Sequence, residues 1–423
     1  MPQAIFRPAL LLLVVSLLVP QVLVAGAQQP PFLTLEPGLP LVATTFATGL
    51  NFPTGMVELP DGSLLVGTSN PTGGSFFSST GELVRLVDSD GDRIADGAPQ
   101  IVATGLAGAV TAVAKQNDLV FVTSVESRRE RIQILRGGGD WLGPYDPVGE
   151  LVFSFAGFAH QSYGLATRTS PIDPGVIELY FNVGARGNDT GGGAVQVGGA
   201  LSARLMDSSI YMVPVTDTGE QVTIGDPVQI ASGLRNAMGF GFHPGTGDLW
   251  ITDNGIDGLE EVWIAHSADE LNVIPANQIG RALFDFGFPH TYTLYSTGEI
   301  IGTGGAQPIV AFVPQAGNEN EGAASLAFAP DSFQDGLNSG VLVGFHGQYD
   351  LSGPENEENP LLYIDLDTLE VTTIVSVDAP GIGHLDGLLA TTDAVYVADL
   401  CAGSSMANAA PCGTIFRIGP VPS

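Results

Sequence analysis

An acidic segment at 88–96 has the residue types of a calcium site. Aspartates alternate through it, a glycine permits a sharp bend, and a backbone carbonyl is available beside them: Asp88, Asp90, Gly91, Asp92, Ile94 and Asp96. Ca²⁺ prefers several carboxylate and carbonyl oxygens around one centre, which this spacing can supply. Because the segment lacks the closing glutamate and the length of an EF-hand loop, it predicts a structural calcium site. The alternative is an acidic hairpin loop that binds no ion.

Two other segments carry side chains suited to acid–base and anion chemistry. His160 opens a short apolar segment, and the ordinary pKa of histidine, near neutrality, suits a general base. Arg235 and Asn236 stand at the same position of a later segment, where a cation is costly unless an anion or a carboxylate meets it. The alternatives are a histidine that bonds a loop at a strand end and an arginine that bridges to the abundant acids.

His160, Arg235 and Asn236 lie at or near the starts of segments that belong to a weak internal repeat. Six segments share a glycine-containing turn, a short apolar strand, a second turn and a β-branched strand: 48–67, 104–123, 160–184, 232–252, 321–346 and 383–398. Each is typical of the inner strands of a propeller blade, and such strands line the central channel. The sequence therefore predicts an all-β, six-bladed β-propeller with His160 and Arg235 at the channel mouth, where His346 and His384 hold analogous positions.

Composition supports this architecture. The 56 glycines and 29 prolines punctuate many short strands, and no long run has helical apolar periodicity. Segments 41–46 and 414–418 are candidates for the seam at which strands from the two termini pair and close the ring. A seventh blade inside the long gap at 260–315 is one alternative. A pair of β-sandwiches is another, although the repeat recurs in one register throughout.

The N-terminal segment predicts export. Arg7 precedes an apolar run from Pro8 to Ala25, and small residues follow before a polar stretch begins at Gln28. We therefore expect a signal peptide at 1–27, a linker at 28–40 and the propeller at 41–420. A retained membrane anchor is the alternative, but Pro20 interrupts the run, which is short for a span. The mature protein is expected to be secreted or periplasmic, without stable membrane insertion.

The charged residues and the two cysteines limit the possible partners and compartments. The chain has 45 acidic against 14 basic residues, a net charge of −31, and Lys115 is its single lysine. Nucleic acid binding needs a basic face, so it is excluded, and anionic membranes are disfavoured. Cys401 and Cys412 lie close together in a small-residue stretch without other sulfur or histidine ligands. In an oxidising compartment they are expected to form a disulfide rather than a metal site.

Several segments together resemble the soluble quinoprotein glucose/sorbosone dehydrogenase family, over most of residues 45–418. The acidic segment at 86–96 resembles a loop of the sorbosone branch, and His160 with the strand at 180–184 resembles the segment that holds the catalytic base. Residues 233–240, with Arg235 and Asn236, resemble the quinone-contacting segment. The stretch 253–261 resembles the acidic segment that supplies calcium ligands, and 286–289 resembles a Tyr-Gly-Trp-Pro turn.

The resemblance implies a six-bladed propeller that uses pyrroloquinoline quinone and Ca²⁺ to oxidise an aldose at its C1 hydroxyl. His160 would take the hydroxyl proton while hydride passes to the quinone, and Arg235 would stabilise the reduced quinone. Asn236 would orient the cofactor, and Asp253 with Asp257 would hold Ca²⁺. The partners would be a sugar and an electron acceptor.

The sequence also leaves two other functions open. A binding or scaffold propeller that keeps calcium and the disulfide is favoured by the shortage of basic residues to meet the three carboxylates of the quinone. A calcium-dependent hydrolase that uses channel-facing Asp, Asn and His is the third possibility. Fold alone does not decide among them, because propellers host many functions.

Overall fold

The structure is all-β, as the sequence predicts. The computed structural model describes residues 32–69, 76, 80–126, 128–155, 157, 160–161, 163–259, 265–314, 321–334, 336–347, 360–376, 382–401 and 411–422. Within these ranges the regular structure consists of thirty strands, and no helix occurs among them. None of the described segments is therefore a helix long and apolar enough to cross a membrane. The signal peptide predicted at 1–27 lies outside the described residues.

Twenty-eight of the thirty strands are distributed over six blades, and the other two form a separate hairpin. The first strand, β1 (Leu41–Leu50), belongs to the last blade. Blade one contains β2 (Met56–Glu58), β3 (Leu64–Ser69), β4 (Thr80–Leu86) and β5 (Gln100–Ala107). Blade two contains β6 (Ala109–Gln116), β7 (Leu119–Glu126), β8 (Arg129–Arg136), β9 (Asp146–Ser154), β12 (Ala194–Gly199) and β13 (Ala203–Met206). Blade three contains β10 (Leu165–Thr169), β11 (Val176–Val183), β14 (Ser209–Asp217), β15 (Val222–Ile224), β16 (Val228–Ser232) and β20 (Phe284–Asp285).

The second half of the chain builds the other three blades. Blade four contains β17 (Ala237–Phe242), β18 (Leu249–Asp253), β19 (Asp269–Ile274) and β23 (Val310–Phe312). A separate hairpin pairs β21 (Tyr292–Thr293) with β22 (Ile300–Ile301). Blade five contains β24 (Ala323–Phe328), β25 (Gly340–Phe345), β26 (Leu361–Asp365) and β27 (Val371–Val375). Blade six contains β28 (Gly387–Ala390), β29 (Val395–Asp399), β30 (Gly413–Pro420) and β1.

The blades form a closed ring around the inner strands. Strands β2, β6, β10, β17, β24 and β28 contact one another in this order, and β28 contacts β2 again. Apolar side chains pack between each pair of neighbouring blades, in six separate clusters. The second strands β3, β18 and β25 are buried along their whole length because a neighbouring blade covers each face. All six repeat segments thus correspond to the inner two strands of one blade each, which confirms the predicted six-bladed propeller.

The ring closes at the predicted seam. Strand β1 pairs antiparallel with β30, with Leu41 opposite Pro420 and Thr45 opposite Phe416. Strands from both ends of the chain therefore complete blade six. The predicted disulfide between Cys401 and Cys412 is present and links the end of β29 to the start of β30.

The long gap at 260–315 contains no seventh blade within its described part, 265–314. Its strands β19 and β23 complete blade four, and β20 pairs in parallel with β16 of blade three. The hairpin β21–β22 is the remaining regular structure of this stretch. The strands of this stretch therefore belong to blade three, blade four and a separate hairpin.

Candidate functional site: the central cavity

A cavity of about 600 Å³ occupies one end of the central channel. Residues at or just before the inner strands of all six blades line it, from Thr54 of blade one to Leu388 of blade six. The predicted residues His160, Arg235, Asn236 and Asp257 all line this cavity. The ring therefore brings together side chains that are nearly one hundred residues apart in the sequence.

His160 is a neutral imidazole in a defined tautomer. Its Nδ1 lies 3.3 Å from the carbonyl oxygen of Ala185, which can only accept, so Nδ1 carries the proton and Nε2 keeps its lone pair. Burial and the nearby charge of Arg235 lower the pKa of His160 to about 3. A glycine is required at position 184 for His160 to take this position, because a Cβ there would lie 2.7 Å from the Cβ of His160. The arrangement can accept a proton at Nε2.

Arg235 is a nearly buried cation whose orientation is fixed. Its side chain is 3% exposed, and it forms an ion pair with Asp257, whose side chain is 59% exposed. Nε donates to the backbone carbonyl of Asn188 at 2.9 Å, and Nη2 donates to the Asn188 side-chain oxygen at 2.7 Å. Within the part of the chain that the structure describes, Nη1 has no hydrogen-bond partner. This nitrogen can donate to an anionic or carbonyl group in the cavity.

The turn at 286–289 supports the loop that carries Arg235. The backbone N–H groups of Phe286 and Phe288 donate to the carbonyls of Ser232 and Gly233 at 2.9 and 3.0 Å. Gly233 has a φ of +72°, and a Cβ at this position would lie 2.4 Å from the nitrogen of Gly287. A side chain at Gly233 would therefore displace the turn and, with it, the arginine.

A recurring anchor holds the loops that precede three inner strands. In blade four both carboxylate oxygens of Asp253 accept backbone N–H groups, from Arg235 at 3.0 Å and from Asn236 at 2.7 Å. Asn182 in blade three accepts the N–H groups of residues 163 and 164, and Asp399 in blade six accepts those of 383 and 384. Burial raises the pKa of Asp253 and that of Asp399 to about 7. These side chains satisfy buried backbone donors and set the loop geometry.

The amide of Asn236 presents a buried oxygen to the cavity. Its Nδ2 donates to Oδ1 of Asn254 at 2.9 Å, and Nδ2 of Asn254 donates to the carbonyl of Ala323 at 2.8 Å. Because a carbonyl can only accept, the orientation of both amides is determined. Asn236 is 7% exposed, and its Oδ1 has no hydrogen-bond partner among the described residues. An unsatisfied buried acceptor in a cavity is a position for a ligand donor.

The wall formed by blades five and six is acidic. Glu321, His346 and Asp386 line it, and Nδ1 of His346 lies 2.8 and 2.9 Å from the two carboxylate oxygens of Asp386. The ring of His346 stacks on that of His384 with centroids 4.0 Å apart. Burial is the main reason that the pKa of His384 falls to about 3, so it is neutral. Its Nδ1 donates to the backbone carbonyl of His346 at 2.6 Å.

The predicted calcium loop lies outside the cavity, between β4 and β5. Asp88, Asp90 and Asp96 place one carboxylate oxygen each within 4.8 Å of one another. Asp92 is not part of this set, and its Oδ1 accepts the backbone N–H of Ile94 at 2.8 Å. The φ of Gly91 is +78°, which gives the sharp bend that the sequence predicts.

Several residues of the site were missed by the sequence analysis. Asn188 holds Arg235 and Asp257, and Asp207 holds the loop of Asn188 by accepting the N–H groups of Arg186 and Gly192. No sequence signal points to them, because they belong to the loop between the two strands β11 and β12 of different blades. The anchors Asn182, Asp253 and Asp399 do share a signal. Each stands near the end of the second strand of its repeat.

Comparisons with known proteins support the resemblance to sugar dehydrogenases for the fold alone. No family model matches the chain. An uncharacterised protein of Borreliella burgdorferi is 38% identical over 63 residues, which are 15% of this chain and 14% of that protein. The chain thus spans a small fraction of that relative, and the match carries no functional information.

Solved structures of three sugar-related propellers match nearly the whole chain. The PQQ-bound form of an aldose sugar dehydrogenase from Streptomyces coelicolor has 17% identity and a TM-score of 0.56, covering 92% of this chain and 99% of that one. The holo form of the pyranose dehydrogenase PQQ domain from Coprinopsis cinerea has 15% identity and a TM-score of 0.58, covering 93% and 99%. A calcium structure of a Trichoderma reesei enzyme of carbohydrate-active family AA12 has 16% identity and a TM-score of 0.54, covering 92% and 98%. The chain therefore shares the six-bladed fold of PQQ-dependent sugar dehydrogenases.

Proposed function

We propose that the protein is an extracytoplasmic oxidoreductase of the sugar dehydrogenase type, which oxidises a sugar hydroxyl in the central cavity. The observation that carries this proposal is the neutral His160, with its proton on Nδ1 and its Nε2 lone pair kept, beside the fixed cation of Arg235. The fold shared with sugar dehydrogenases supports it. The disulfide fits an oxidising compartment.

The residues of the cavity suit a defined sequence of proton and electron movements. Nε2 of His160 takes the proton of the C1 hydroxyl, the C1–O bond becomes a carbonyl, and the C1–H electron pair leaves as hydride to an external two-electron acceptor, such as the redox dye of the assay described below. The protonated imidazole keeps its bond to the carbonyl of Ala185. Arg235 stabilises negative charge that develops on the acceptor, through a guanidinium that Asn188 and Asp257 hold in place.

Pyrroloquinoline quinone matches one wall of the cavity and not the other. Arg235 and Asn236 offer a cationic donor and an oriented amide. The wall of blades five and six presents Glu321 and Asp386 to a cofactor that carries three carboxylates. Lys115, the single lysine, lies over the ring of Trp141, outside the cavity. The residues therefore do not fit the free tricarboxylate, and no step is assigned to it.

We propose that Ca²⁺ binds at the loop 88–96. Three carboxylates there can share one ion, which fits the donor set of Ca²⁺, and the ion would stabilise the connection between β4 and β5. Asp253, for which the sequence predicts a calcium role with Asp257, uses both carboxylate oxygens to accept backbone N–H groups. The calcium expected from this loop is structural and supplies no step of the oxidation.

A binding propeller is the second candidate function. The acidic wall of blades five and six favours it, because it lacks the cations that a quinone tricarboxylate needs. In this case the cavity would hold a sugar without oxidising it. Binding and oxidation are separable by experiment, since a bound sugar and a reduced dye are detected independently.

The test is dye-coupled oxidation of aldoses by the mature protein, with and without added pyrroloquinoline quinone and Ca²⁺. We expect the variant His160→Gln to lose on the order of 10²–10⁴-fold in kcat, the usual contribution of a general base, with little change in KM. The exposed His290 provides the matched control, His290→Gln, which should keep wild-type rates. Sugar binding without dye reduction by any preparation would reject the oxidoreductase and leave the binding propeller.

A further inference from the structure

The outer strands of blade two have one face that is open to solvent. Side chains alternate along β9 and β12, so Phe153 and Val195 are buried against blade three, whereas Ser154 and Gln196 point to the other face and are exposed. A shallow groove of about 490 Å³ lies on this open face. It shares no lining residue with the central cavity, so it is a separate feature of the molecule.

The register of the strands places the lining residues side by side. They form two adjacent rows across β8, β9 and β12, which are Arg129–Ser154–Gln196 and Arg131–Val152–Gly198. Neighbouring strands are about 4.8 Å apart, so each row is about 10 Å long. A Cβ at Gly198 would have no atom within 4 Å, which shows that the floor of the groove is open there. The groove therefore has room for a ligand larger than an inorganic ion.

Arg131 offers an unused pair of donors at this groove. Its Nη1 donates to the carboxylate of Glu150 at 2.9 Å, which leaves Nε and Nη2. These two N–H groups point in the same direction from the planar guanidinium, in the fork that binds two oxygens of one carboxylate. Nε is buried and has no hydrogen-bond partner among the described residues. Because a buried donor without an acceptor is unfavourable, a carboxylate at this edge would be stabilised.

Positive charge exceeds negative charge on this face. Arg129 is exposed and forms no ion pair within the described part of the chain, although Glu126 stands opposite it in the β7–β8 hairpin. Glu150 pairs with Arg131. Arg204, exposed on the outermost strand β13 in the row of Arg129, adds a third guanidinium. Three arginines therefore share this face with two carboxylates, in a chain whose net charge is −31.

We propose that this groove binds an acidic saccharide, with a carboxylate on Arg131 and a sugar ring over Val152 and Gly198. A guanidinium only donates hydrogen bonds, so it needs an acceptor, and a carboxylate supplies two with negative charge. The hydroxyl of Ser154 and the amide of Gln196 both donate and accept, which suits the hydroxyls of a sugar. The half-buried Val152 and the missing side chain of Gly198 leave an even surface for the ring. This site goes beyond the proposed oxidation and does not depend on it.

The experiment is isothermal titration of the mature protein with trigalacturonate, with the neutral maltotriose and with sodium sulfate. We expect trigalacturonate to bind about tenfold or more tightly than the other two, because it alone combines carboxylates with sugar rings. Arg129→Gln should weaken its binding several-fold, while Arg281→Gln, which removes an exposed arginine outside the groove, should change it by less than about twofold. Gly198→Leu fills the floor of the groove without changing its charge, in space that is open to a side chain, and should abolish binding.

Three results would overturn the inference. They are a wild type that binds trigalacturonate no more tightly than maltotriose, a Gly198→Leu variant that keeps the wild-type affinity, and sulfate that binds as tightly as the acidic trisaccharide. Dye-coupled oxidation of aldoses by Gly198→Leu should keep the wild-type rate, because the groove and the central cavity share no residue. Loss of the acidic saccharide with oxidation unchanged would support the groove site, whereas absence of oxidation in every preparation would reject the proposed function alone.

Discussion

The two walls of the central cavity follow one backbone plan and carry opposite chemistry. On blades three and four the residues before the inner strands are a neutral histidine and a buried arginine, His160 and Arg235. On blades five and six the residues before the inner strands are Glu321 and Asp386, and His346, which follows β25, contacts Asp386. The first wall presents a neutral proton acceptor and a cation, whereas the second presents carboxylates.

This difference shows which part of the fold carries function. Anchoring side chains at the ends of the second strands fix the loops of both walls, as Asp253 does in blade four and Asp399 in blade six. The loop residue before the inner strand is therefore free to vary in chemistry while its backbone stays in place. A cofactor or substrate is selected by a few such residues, and the ring around them is unchanged.

The largest expected effect is on stability, when an anchor is removed. Asp253→Ala leaves the buried N–H groups of Arg235 and Asn236 without acceptors, which should cost on the order of 2–4 kcal/mol. Asp253→Asn keeps an oxygen that can accept both, as Oδ1 of Asn182 does in blade three at 2.9 Å to each nitrogen. We expect this variant to lose less than about 1 kcal/mol. Urea unfolding of the three proteins measures the difference.

The same measurement with a chelator separates an anchor from a metal ligand. If Asp253 acts as an anchor and calcium binds at the loop 88–96 as proposed, calcium removal should lower the stability of the wild type and of Asp253→Asn by equal amounts. A loss confined to the wild type would make Asp253 a calcium ligand. Equal losses in the alanine and asparagine variants would show that the charge, not the accepting oxygen, is what matters.

The second prediction is that removing the negative charges of the acidic wall makes the cavity a better quinone site. The double variant Glu321→Gln/Asp386→Asn removes two carboxylates that face the cavity, and we expect its affinity for pyrroloquinoline quinone to rise on the order of tenfold. Added Ca²⁺ should raise the affinity of the wild type more than that of the variant, since a cation compensates the same charges. Isothermal titration measures all four combinations.

The matched control removes equivalent charges outside the cavity. Glu220→Gln/Asp226→Asn changes two exposed residues of blade three and should leave quinone affinity within about twofold of the wild type, because salt screens distant surface charges. Tight quinone binding by the unmodified protein without calcium would contradict the mismatch inferred for the acidic wall. It would instead show that the chain resembles the quinone-bound dehydrogenases in its cofactor as well as in its fold.

Much of the fold could be predicted because it depends on local pattern. Turn residues with a clear mechanism, such as Asp61 and Gly62, punctuate the repeat, and Gly62 has a φ of +83°. The seam followed from apolar strands at both termini. The outer strands β12 and β13 could not be assigned, because they follow two strands of blade three in the sequence but join blade two. Such a crossover is decided by packing between blades, not by local sequence.

The site was predictable where the residue type itself is unusual. In a chain with 14 basic residues, Arg235 stood out, and the structure places it in the cavity beside His160. Asn188 and Asp386 carried no such signal, because asparagine and aspartate are common in loops and their partners lie far away in sequence. The neutral state of His160 also depends on its burial and on the charge of Arg235, neither of which the local sequence shows.

The smallest expected effect concerns the pH dependence of the first wall. His160 stays neutral as the pH falls toward its pKa of about 3, so kcat/KM should be flat from about pH 7 to 5 instead of falling near the ordinary histidine pKa. The charge of Arg235 helps to lower that pKa. Arg235→Gln should therefore move the acid limb to higher pH, while Arg204→Gln, an exposed arginine on β13, should leave it in place. NMR titration of the His160 ring reports the same shift without requiring turnover. A wild-type limb near the ordinary histidine pKa would mean that His160 is hydrated and that blades three and four do not hold a neutral base.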